Sequence, residues 1–334
     1  MPFRKNPSAI DLYLLENNTK AASCNSGAAS RYTQLCMESA IFHGLGTAIV
    51  TPFRSDESVD HASLEKLVEF QVAGGVDFLV ACGSTGEASA LSEDETDAVV
   101  RTVIQAAAGR VPVMAACTHN STREAVRRVK RIAAIEGVSC ILSASPYYSK
   151  PTQQGQYLHF KTIAEAIGEL PLMLYNIPGR TAVNLEPATM VELAKIPNVM
   201  GVKESSGNMA QIGEVLATRP DNFVVFSGDD YMTLPVIAGG GAGLISVASN
   251  VAPKAVKAVV AHALNGELEA AREAAKAVNE LNRVLFAEPN PAPTKALLAM
   301  MQQIASDTLR LPMTSVNEKT CEQVRQTASR LHLL

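Results

Sequence analysis

The sequence predicts an α/β protein whose main unit is a (β/α)8 barrel, followed by a C-terminal helical appendage. From Gly44 onward, short apolar runs alternate with polar clusters and amphipathic helix patterns. Eight such runs occur, and they begin near residues 46, 78, 111, 138, 172, 199, 223 and 243. The chain has no Trp, only 9 Phe and 7 Tyr, and 47% hydrophobic residues. Its core is therefore mostly Val, Ile, Leu and Ala, as expected where buried parallel strands meet Ala-rich helices.

The individual elements follow from local patterns. Each apolar run is short, which suits a strand that is buried on both faces. A helix is predicted over residues 60–73 with Asp60 as its cap, and another over 92–108, where S-E-D-E resembles a capping box. A third is predicted over 121–136, where apolar residues share one face. Right-handed crossovers make closure as a TIM barrel the simplest topology. An open doubly wound sheet is the alternative, although no G-x-G-x-x-G motif follows the first run.

We divide the chain into three parts. Residues 1–36 are rich in Asn, Ser, Ala and Thr and are predicted to be a disordered extension, with Met37 as a plausible true start. Residues 37–264 form the barrel. Residues 265–334 form the helical C-terminal region, with a Pro-rich interruption, E-P-N-P-A-P, at 288–293. Residues 231–253 carry no charge, but their prolines and glycines favour two short β/α elements over a membrane helix.

Charge and cysteine usage exclude several classes of protein. Lys and Arg number 29 against 33 Asp and Glu, and a net charge of −4 excludes a strongly basic nucleic-acid binder. The six cysteines form no C-x-x-C pair, which argues against a zinc site and against a small disulfide scaffold. Free thiols and the lack of a signal-peptide pattern predict a cytoplasmic protein.

In a barrel, catalytic groups lie at the C-terminal ends of the strands. The segments that follow the apolar runs are G-S-T-G-E, T-H-N, P-Y-Y, Y-N-I-P-G-R-T, K-E-S-S-G-N, S-G-D-D and S-V-A-S-N. Metal-dependent chemistry needs a set of His and carboxylate ligands, and His119 is the only histidine in these segments. Glycosidase chemistry needs two separated carboxylates, but Asp229 and Asp230 are adjacent. The sequence therefore predicts neither chemistry.

Lys203 ends the apolar run N-V-M-G-V and is predicted to project from a buried strand into the mouth of the barrel. Burial of an amine disfavours its charged form. The neutral amine is the form that makes an imine with a carbonyl substrate. The residue pattern alone leaves a catalytic and a structural lysine equally open.

Four further residues fit a small keto acid and a second acidic substrate. Ser84 and Thr85 lie in a Gly-flanked turn whose N–H and hydroxyl groups can hold a carboxylate. The Tyr175 phenol can transfer protons near an imine, and Arg180 can clamp another carboxylate. Each has an ordinary alternative. The turn with Ser84 and Thr85 is of a kind common in barrels, Tyr175 can be a half-buried tyrosine at the barrel rim, and Arg180 can form a surface ion pair.

At these residues the chain strongly resembles the dihydrodipicolinate synthase family, which belongs to the Schiff-base (class I) aldolases together with N-acetylneuraminate lyase. The resemblance covers residues from about 42 to 334. It rests on motifs in the family's order and spacing: G-L-G-T-A-I-V-T-P-F, G-S-T-G-E, S-P-Y-Y, Y-N-I-P-G-R-T, G-V-K-E-S-S-G-N, S-G-D-D, G-L-I-S-V-A-S-N, E-P-N-P-A-P-T-K and D-T-L-R-L-P-M.

The resemblance implies a role for each matching residue. Lys203 forms the imine with pyruvate, and Tyr175 is the general acid and base beside it. Thr85 and Ser84 carry a hydroxyl relay from Tyr175 to Tyr148, which reaches the site of a neighbouring subunit. The family also implies three substrate-binding residues: Arg180 for the carboxylate of L-aspartate-4-semialdehyde, and Gly228 and Ile245 for the shape of the pyruvate pocket.

The implied activity is that of a lyase, which condenses pyruvate with the semialdehyde to 4-hydroxy-tetrahydrodipicolinate in lysine and diaminopimelate biosynthesis. No metal or organic cofactor is implied, and the implied assembly is a homotetramer built as a dimer of dimers. The alternative is an N-acetylneuraminate lyase or another pyruvate-dependent aldolase for a sugar-derived keto acid. Arg180 favours the synthase because the lyases accommodate a polyol there. Ser84 does not discriminate, since G-S-T-G-E is common in the lyases.

The family also implies an allosteric lysine site. Asn120, Glu124 and Tyr147 match its lysine-contacting residues. Glu93 stands where many inhibited enzymes have His, and Ala88 replaces a Ser. We therefore expect inhibition by lysine to be weak or absent.

Overall fold

The computed structural model describes residues 42–334, so the predicted disordered extension over 1–36 lies outside the described residues. Eight parallel strands form a closed barrel in chain order, and pairing of Gly44 with Gly243 joins the first strand to the last. The (β/α)8 prediction is confirmed. The strands are β1 (Gly44–Ala48), β2 (Phe78–Ala81), β3 (Val113–Ala116), β4 (Val138–Ala144), β5 (Leu172–Asn176), β6 (Val199–Glu204), β7 (Val224–Ser227) and β8 (Gly243–Ser246).

Helices surround the barrel and continue beyond it. Those of the barrel are α1 (His61–Ala73), α2 (Glu93–Ala107), α3 (Thr122–Ala133), α4 (Gln153–Ala166), α5 (Pro178–Thr181), α6 (Pro187–Leu193), α7 (Met209–Thr218), α8 (Thr233–Ala238) and α9 (Pro253–Leu264). The C-terminal region adds α10 (Leu268–Leu285), α11 (Ala292–Met300) and α12 (Glu318–Arg330). Short 3₁₀ turns occupy Ala88–Ala90, Asp230–Met232 and Ala248–Asn250.

The predicted helix starts are confirmed by their caps. Asp60 accepts a hydrogen bond from the Ser63 amide at the start of α1. Ser92 and Glu95 form a reciprocal capping box at the start of α2. Helix α3 ends at Ala133, three residues earlier than predicted, because the chain needs the intervening residues to turn into β4.

The barrel interior is apolar, and three phenylalanine rings pack against one another in it. The Phe78 ring contacts Phe42 and Phe226 edge-on, with centroid distances of 5.2 and 5.4 Å. Gly46 makes room for Phe78, because a Cβ at that position would lie 2.1 Å from the ring. The inward-directed polar side chains of the strands, Tyr175 and Lys203, lie toward the C-terminal ends of the strands.

The C-terminal region is anchored to that end of the barrel by a buried ion pair. Lys295 on α11 is completely buried, and its Nζ lies 2.5 Å from Oε1 of Glu87, which follows β2. It also donates to the Thr308 carbonyl and lies 4.1 Å from the centroid of the Phe53 ring. Burial lowers the pKa of Lys295 to about 8, against the opposing effect of the Glu87 charge. The interruption predicted over 288–293 lies between α10 and α11, although its last two residues already belong to α11.

Among residues 42–334, no helix has the length and apolar character needed to cross a membrane. The uncharged segment over 231–253 contains α8 and β8, as its prolines and glycines predicted.

Candidate active site

Lys203 and Tyr175 lie side by side at the C-terminal ends of β6 and β5, where the strand register pairs them directly. The Lys203 Nζ is 4.4 Å from the centroid of the Tyr175 ring. The two residues are only 6% and 7% exposed. The predicted projection of Lys203 into the barrel mouth is therefore observed. In the eight described strands it is the only charged side chain among those directed into the barrel.

Gly228 and Ile245 form part of the wall around these two residues. A Cβ at Gly228 would lie 2.8 Å from both Cγ and Cε of Lys203 and 2.1 Å from Oγ of Ser205. Ile245 is fully buried in the same interior apolar cluster as Tyr175. Glycine at 228 thus leaves the space that the Lys203 side chain occupies.

Behind this pair, a buried polar network fixes the relative position of β5 and β6. Strand alternation turns the next residues, Asn176 and Glu204, to the outer face. Asn176 Nδ2 donates to Oε2 of Glu204 at 3.0 Å, and the Ser206 amide donates to Oε1 at 2.6 Å. Burial raises the pKa of Glu204 against these hydrogen bonds. From the sequence these two residues were assigned no role, although a polar residue within an apolar strand indicates a buried hydrogen-bonding group.

The turn over 83–87 carries the predicted carboxylate-binding hydroxyls. Thr85 is 4% exposed, whereas Ser84 is exposed. Thr51 Oγ1 donates to the Gly86 carbonyl at 2.7 Å, and Asn290 Nδ2 donates to Oγ1 of Thr85 at 2.9 Å. The turn is thus held by the barrel on one side and by the C-terminal region on the other.

The other predicted polar residues lie further out. Tyr148 is 86% exposed and has a left-handed φ of 78°, which is uncommon for a residue with a bulky side chain. Arg180 is exposed on α5, and its Nη2 donates to the Asn290 carbonyl at 3.4 Å. Within residues 42–334, no hydrogen bond joins the hydroxyls of Ser84, Thr85, Tyr148 and Tyr175. The hydroxyl relay therefore stays a prediction.

A separate cavity of about 250 Å³ lies between α2, α3 and the end of β3. Its lining includes Ala88 and Glu93 but not Asn120, Glu124 or Tyr147. The Arg127 guanidinium joins the two carboxylates, donating to Glu93 Oε2 and to Glu124 Oε2, each at 2.9 Å. The hydrogen bond from Arg127 lowers the pKa of Glu93 to about 2. Both carboxylates thus already have a cationic partner.

Over the described part of the chain, His, Cys, Asp and Glu side chains nowhere form a group of three that could hold a metal ion. The chemistry available at the strand ends is that of an amine, hydroxyls, a phenol and a guanidinium.

A buried lysine beside a tyrosine at the strand ends of a (β/α)8 barrel has the groups that a lyase of the class I aldolase type needs to form an imine with a carbonyl compound. Residues 41–331 match the dihydrodipicolinate synthetase family, and the chain belongs to that family.

Individual relatives agree with this assignment. The 4-hydroxy-tetrahydrodipicolinate synthase of Koribacter versatilis is 50% identical over 291 residues, which cover 87% of this chain and 96% of its own. That of Acidobacterium capsulatum is 50% identical over 292 residues, with the same coverage. The solved structure of dihydrodipicolinate synthase from Acinetobacter baumannii, complexed with pyruvate, is 40% identical. It covers 87% of this chain and 99% of its own, with a TM-score of 0.85.

The fit of Gly228 against Lys203 yields a prediction. Gly228→Ala is expected to displace Lys203 or Ser205 and to lower the free energy of unfolding by about 1–3 kcal/mol, as overpacking does. Urea unfolding measures this change. The control is Gly213→Ala on α7, where a Cβ meets nothing within 4 Å. The control is expected to keep or gain stability because Ala is a better helix former. Equal stability of Gly228→Ala and the wild type would contradict the described packing.

Proposed function

We propose that this protein condenses pyruvate with L-aspartate-4-semialdehyde to form 4-hydroxy-tetrahydrodipicolinate, a step toward diaminopimelate and lysine. The observation that carries the proposal is the buried Lys203 amine beside the Tyr175 ring at the mouth of the barrel. The activity named for relatives at 50% identity supports it. No metal or organic cofactor takes part in the proposed reaction.

In the proposed first stage, Lys203 Nζ attacks the C2 carbonyl of pyruvate and the oxygen leaves as water, giving an imine. The Tyr175 phenol supplies and removes protons at this centre, since it lies beside the amine. Backbone N–H groups and hydroxyls of the turn containing Ser84 and Thr85 hold the pyruvate carboxylate. Gly228 and Ile245 shape the pocket for its small methyl group. Loss of a C3 proton then gives the nucleophilic enamine.

In the second stage, C3 of the enamine attacks the aldehyde carbon, and the aldehyde oxygen becomes a hydroxyl by taking a proton. The amino group of the second substrate then attacks C2. This closes a six-membered ring and releases Lys203 as the free amine. One molecule of water is lost overall, at the first imine.

Arg180 selects the second substrate. Its guanidinium lies on α5, just beyond the strand that carries Tyr175, and it can bind a carboxylate through two parallel hydrogen bonds. Aspartate-semialdehyde presents a carboxylate there, whereas a sugar-derived keto acid presents hydroxyls. The N-acetylneuraminate lyase reaction is therefore the second candidate, and the two differ in their need for Arg180.

We further propose that the protein works as a homotetramer built as a dimer of dimers, in which Tyr148 completes the proton relay of a neighbouring subunit. The exposure of Tyr148 supports this role, because an exposed phenol is accessible to a second subunit. Unpaired cysteines at 82, 117, 140 and 321 support a reducing location, for which we propose the cytoplasm.

The covalent step is tested by borohydride reduction in the presence of pyruvate, followed by intact mass and peptide mapping. We expect a reduced pyruvate adduct on Lys203. Lys203→Ala is expected to form none, while Lys130→Ala, which changes an exposed lysine on α3, keeps the adduct. Pyruvate is expected to be consumed only when the semialdehyde is also present. An adduct without turnover of the semialdehyde would favour another aldolase, and absence of any adduct would refute the mechanism.

Arg180→Ala tests the choice of aldehyde. Loss of a hydrogen bond to a charged group is expected to raise the KM for aspartate-semialdehyde by about tenfold to a hundredfold. The pyruvate adduct on Lys203 is expected to form as in the wild type. Steady-state kinetics and borohydride trapping measure the two effects. The control is Arg272→Ala, which changes an exposed arginine on α10. An unchanged KM for the semialdehyde would move the proposal toward the lyases.

Inhibition by lysine is expected to be weak or absent. The ammonium group of a bound lysine needs a carboxylate partner, and Arg127 already occupies both Glu93 and Glu124. Initial rates are measured while L-lysine is increased through the sub-millimolar range, with sodium chloride as the ionic-strength control. Halving of the rate by sub-millimolar lysine would contradict this prediction.

A further inference from the structure

The segment between α10 and α11 packs directly on the turn that carries Thr85. Lys295 and Glu87 form a completely buried ion pair at one end of this contact. The second Glu87 oxygen accepts from the Arg310 amide at 3.2 Å. Asn290 lies at the other end, is 7% exposed, and donates from Nδ2 to Oγ1 of Thr85. The C-terminal region thus holds this turn at two points.

The hydrogen bond from Asn290 fixes the direction of the Thr85 hydroxyl. An amide Nδ2 is a donor only, so Thr85 Oγ1 must act as the acceptor in this bond. The Thr85 hydrogen is therefore directed away from Asn290 and is free to be donated. Asn290 Nδ2, and not Oδ1, is the atom within hydrogen-bond distance of Thr85 Oγ1, and Oδ1 has no partner among the described residues.

Asn290 also contacts the residue proposed to select the second substrate. Its carbonyl accepts from Nη2 of Arg180 at 3.4 Å. A single residue outside the barrel thus touches the proposed binding groups for both substrate carboxylates.

We propose that Asn290 is a positioning residue for this site. Its side chain turns the Thr85 hydroxyl hydrogen toward the carboxylate of the keto acid, and its backbone carbonyl restrains the Arg180 guanidinium. This inference rests on the proposed function, because it assigns pyruvate to the turn that contains Thr85.

The side-chain part is tested with Asn290→Asp and Asn290→Ala in the full-length protein. The readout is the pyruvate concentration that gives half-maximal borohydride trapping on Lys203. An aspartate accepts the Thr85 hydrogen and adds a negative charge, whereas alanine only releases the hydroxyl. We expect the half-saturating concentration to rise by about tenfold to a hundredfold for aspartate and less for alanine. The trapping rate at saturating pyruvate is expected to change little.

Matched controls are Asn282→Asp and Asn282→Ala on α10. Asn282 is likewise buried in the C-terminal region, but its side chain makes no hydrogen bond to Thr85 or Arg180. These variants are expected to lower stability without changing the pyruvate dependence. If the half-saturating pyruvate concentration rises equally in the Asn282 and Asn290 variants, Asn290 has only a structural role and the proposal is overturned.

A double-mutant cycle with Thr85→Val separates positioning from general damage. Asn290→Ala is expected to have almost no further effect on half-saturation once the Thr85 hydroxyl is gone. If the Asn290→Asp variant does not fold, this cycle tests the proposal without it. If the two substitutions raise the half-saturating pyruvate concentration additively, or if the Asn290 variants do not raise it, the positioning role is overturned. The proposed function stands in that case as long as the wild type forms the pyruvate adduct. Absence of the adduct in the wild type overturns both.

Discussion

Closure of eight parallel strands is the constraint on which the rest of the molecule depends. It brings every strand end to one face, so residues far apart in sequence meet there without further folding information. It also makes alternate residues of each strand point into a small, apolar interior. In that setting the pairing of Tyr175 with Lys203 places an amine and a phenol side by side. The outer residues of the same strands, Asn176 and Glu204, then hold that register.

The buried Lys295–Glu87 pair connects this constraint to the C-terminal region. Removing one partner of a buried ion pair leaves an uncompensated charge and typically costs about 3–5 kcal/mol. The pair therefore fixes the position at which α11 packs on the turn that follows β2. Since the same turn carries Thr85, docking of the C-terminal region also determines the geometry of the site. The helical appendage is for this reason part of the structure that positions the candidate site.

The sequence allowed most of the fold and the centre of the site to be predicted, because both depend on local signals. Apolar runs marked all eight strands, and caps such as Ser92 marked helix starts. Lys203 and Tyr175 could be placed at the mouth of the barrel because each lies next to the C-terminal residue of a buried strand. Contacts between distant segments were not predictable: Asn290 meets Thr85 across 205 residues, and no spacing encodes that approach. The proposed relay through Tyr148 would need a second subunit, and a contact between subunits leaves no spacing pattern within one chain.

The difference in exposure between Lys203 and Arg180 has a kinetic consequence for the proposed reaction. Lys203 is 6% exposed, whereas Arg180 is exposed on α5. In that reaction, a keto acid on the buried amine would bind before an aldehyde held at the exposed guanidinium, so the steady-state kinetics would show an ordered addition.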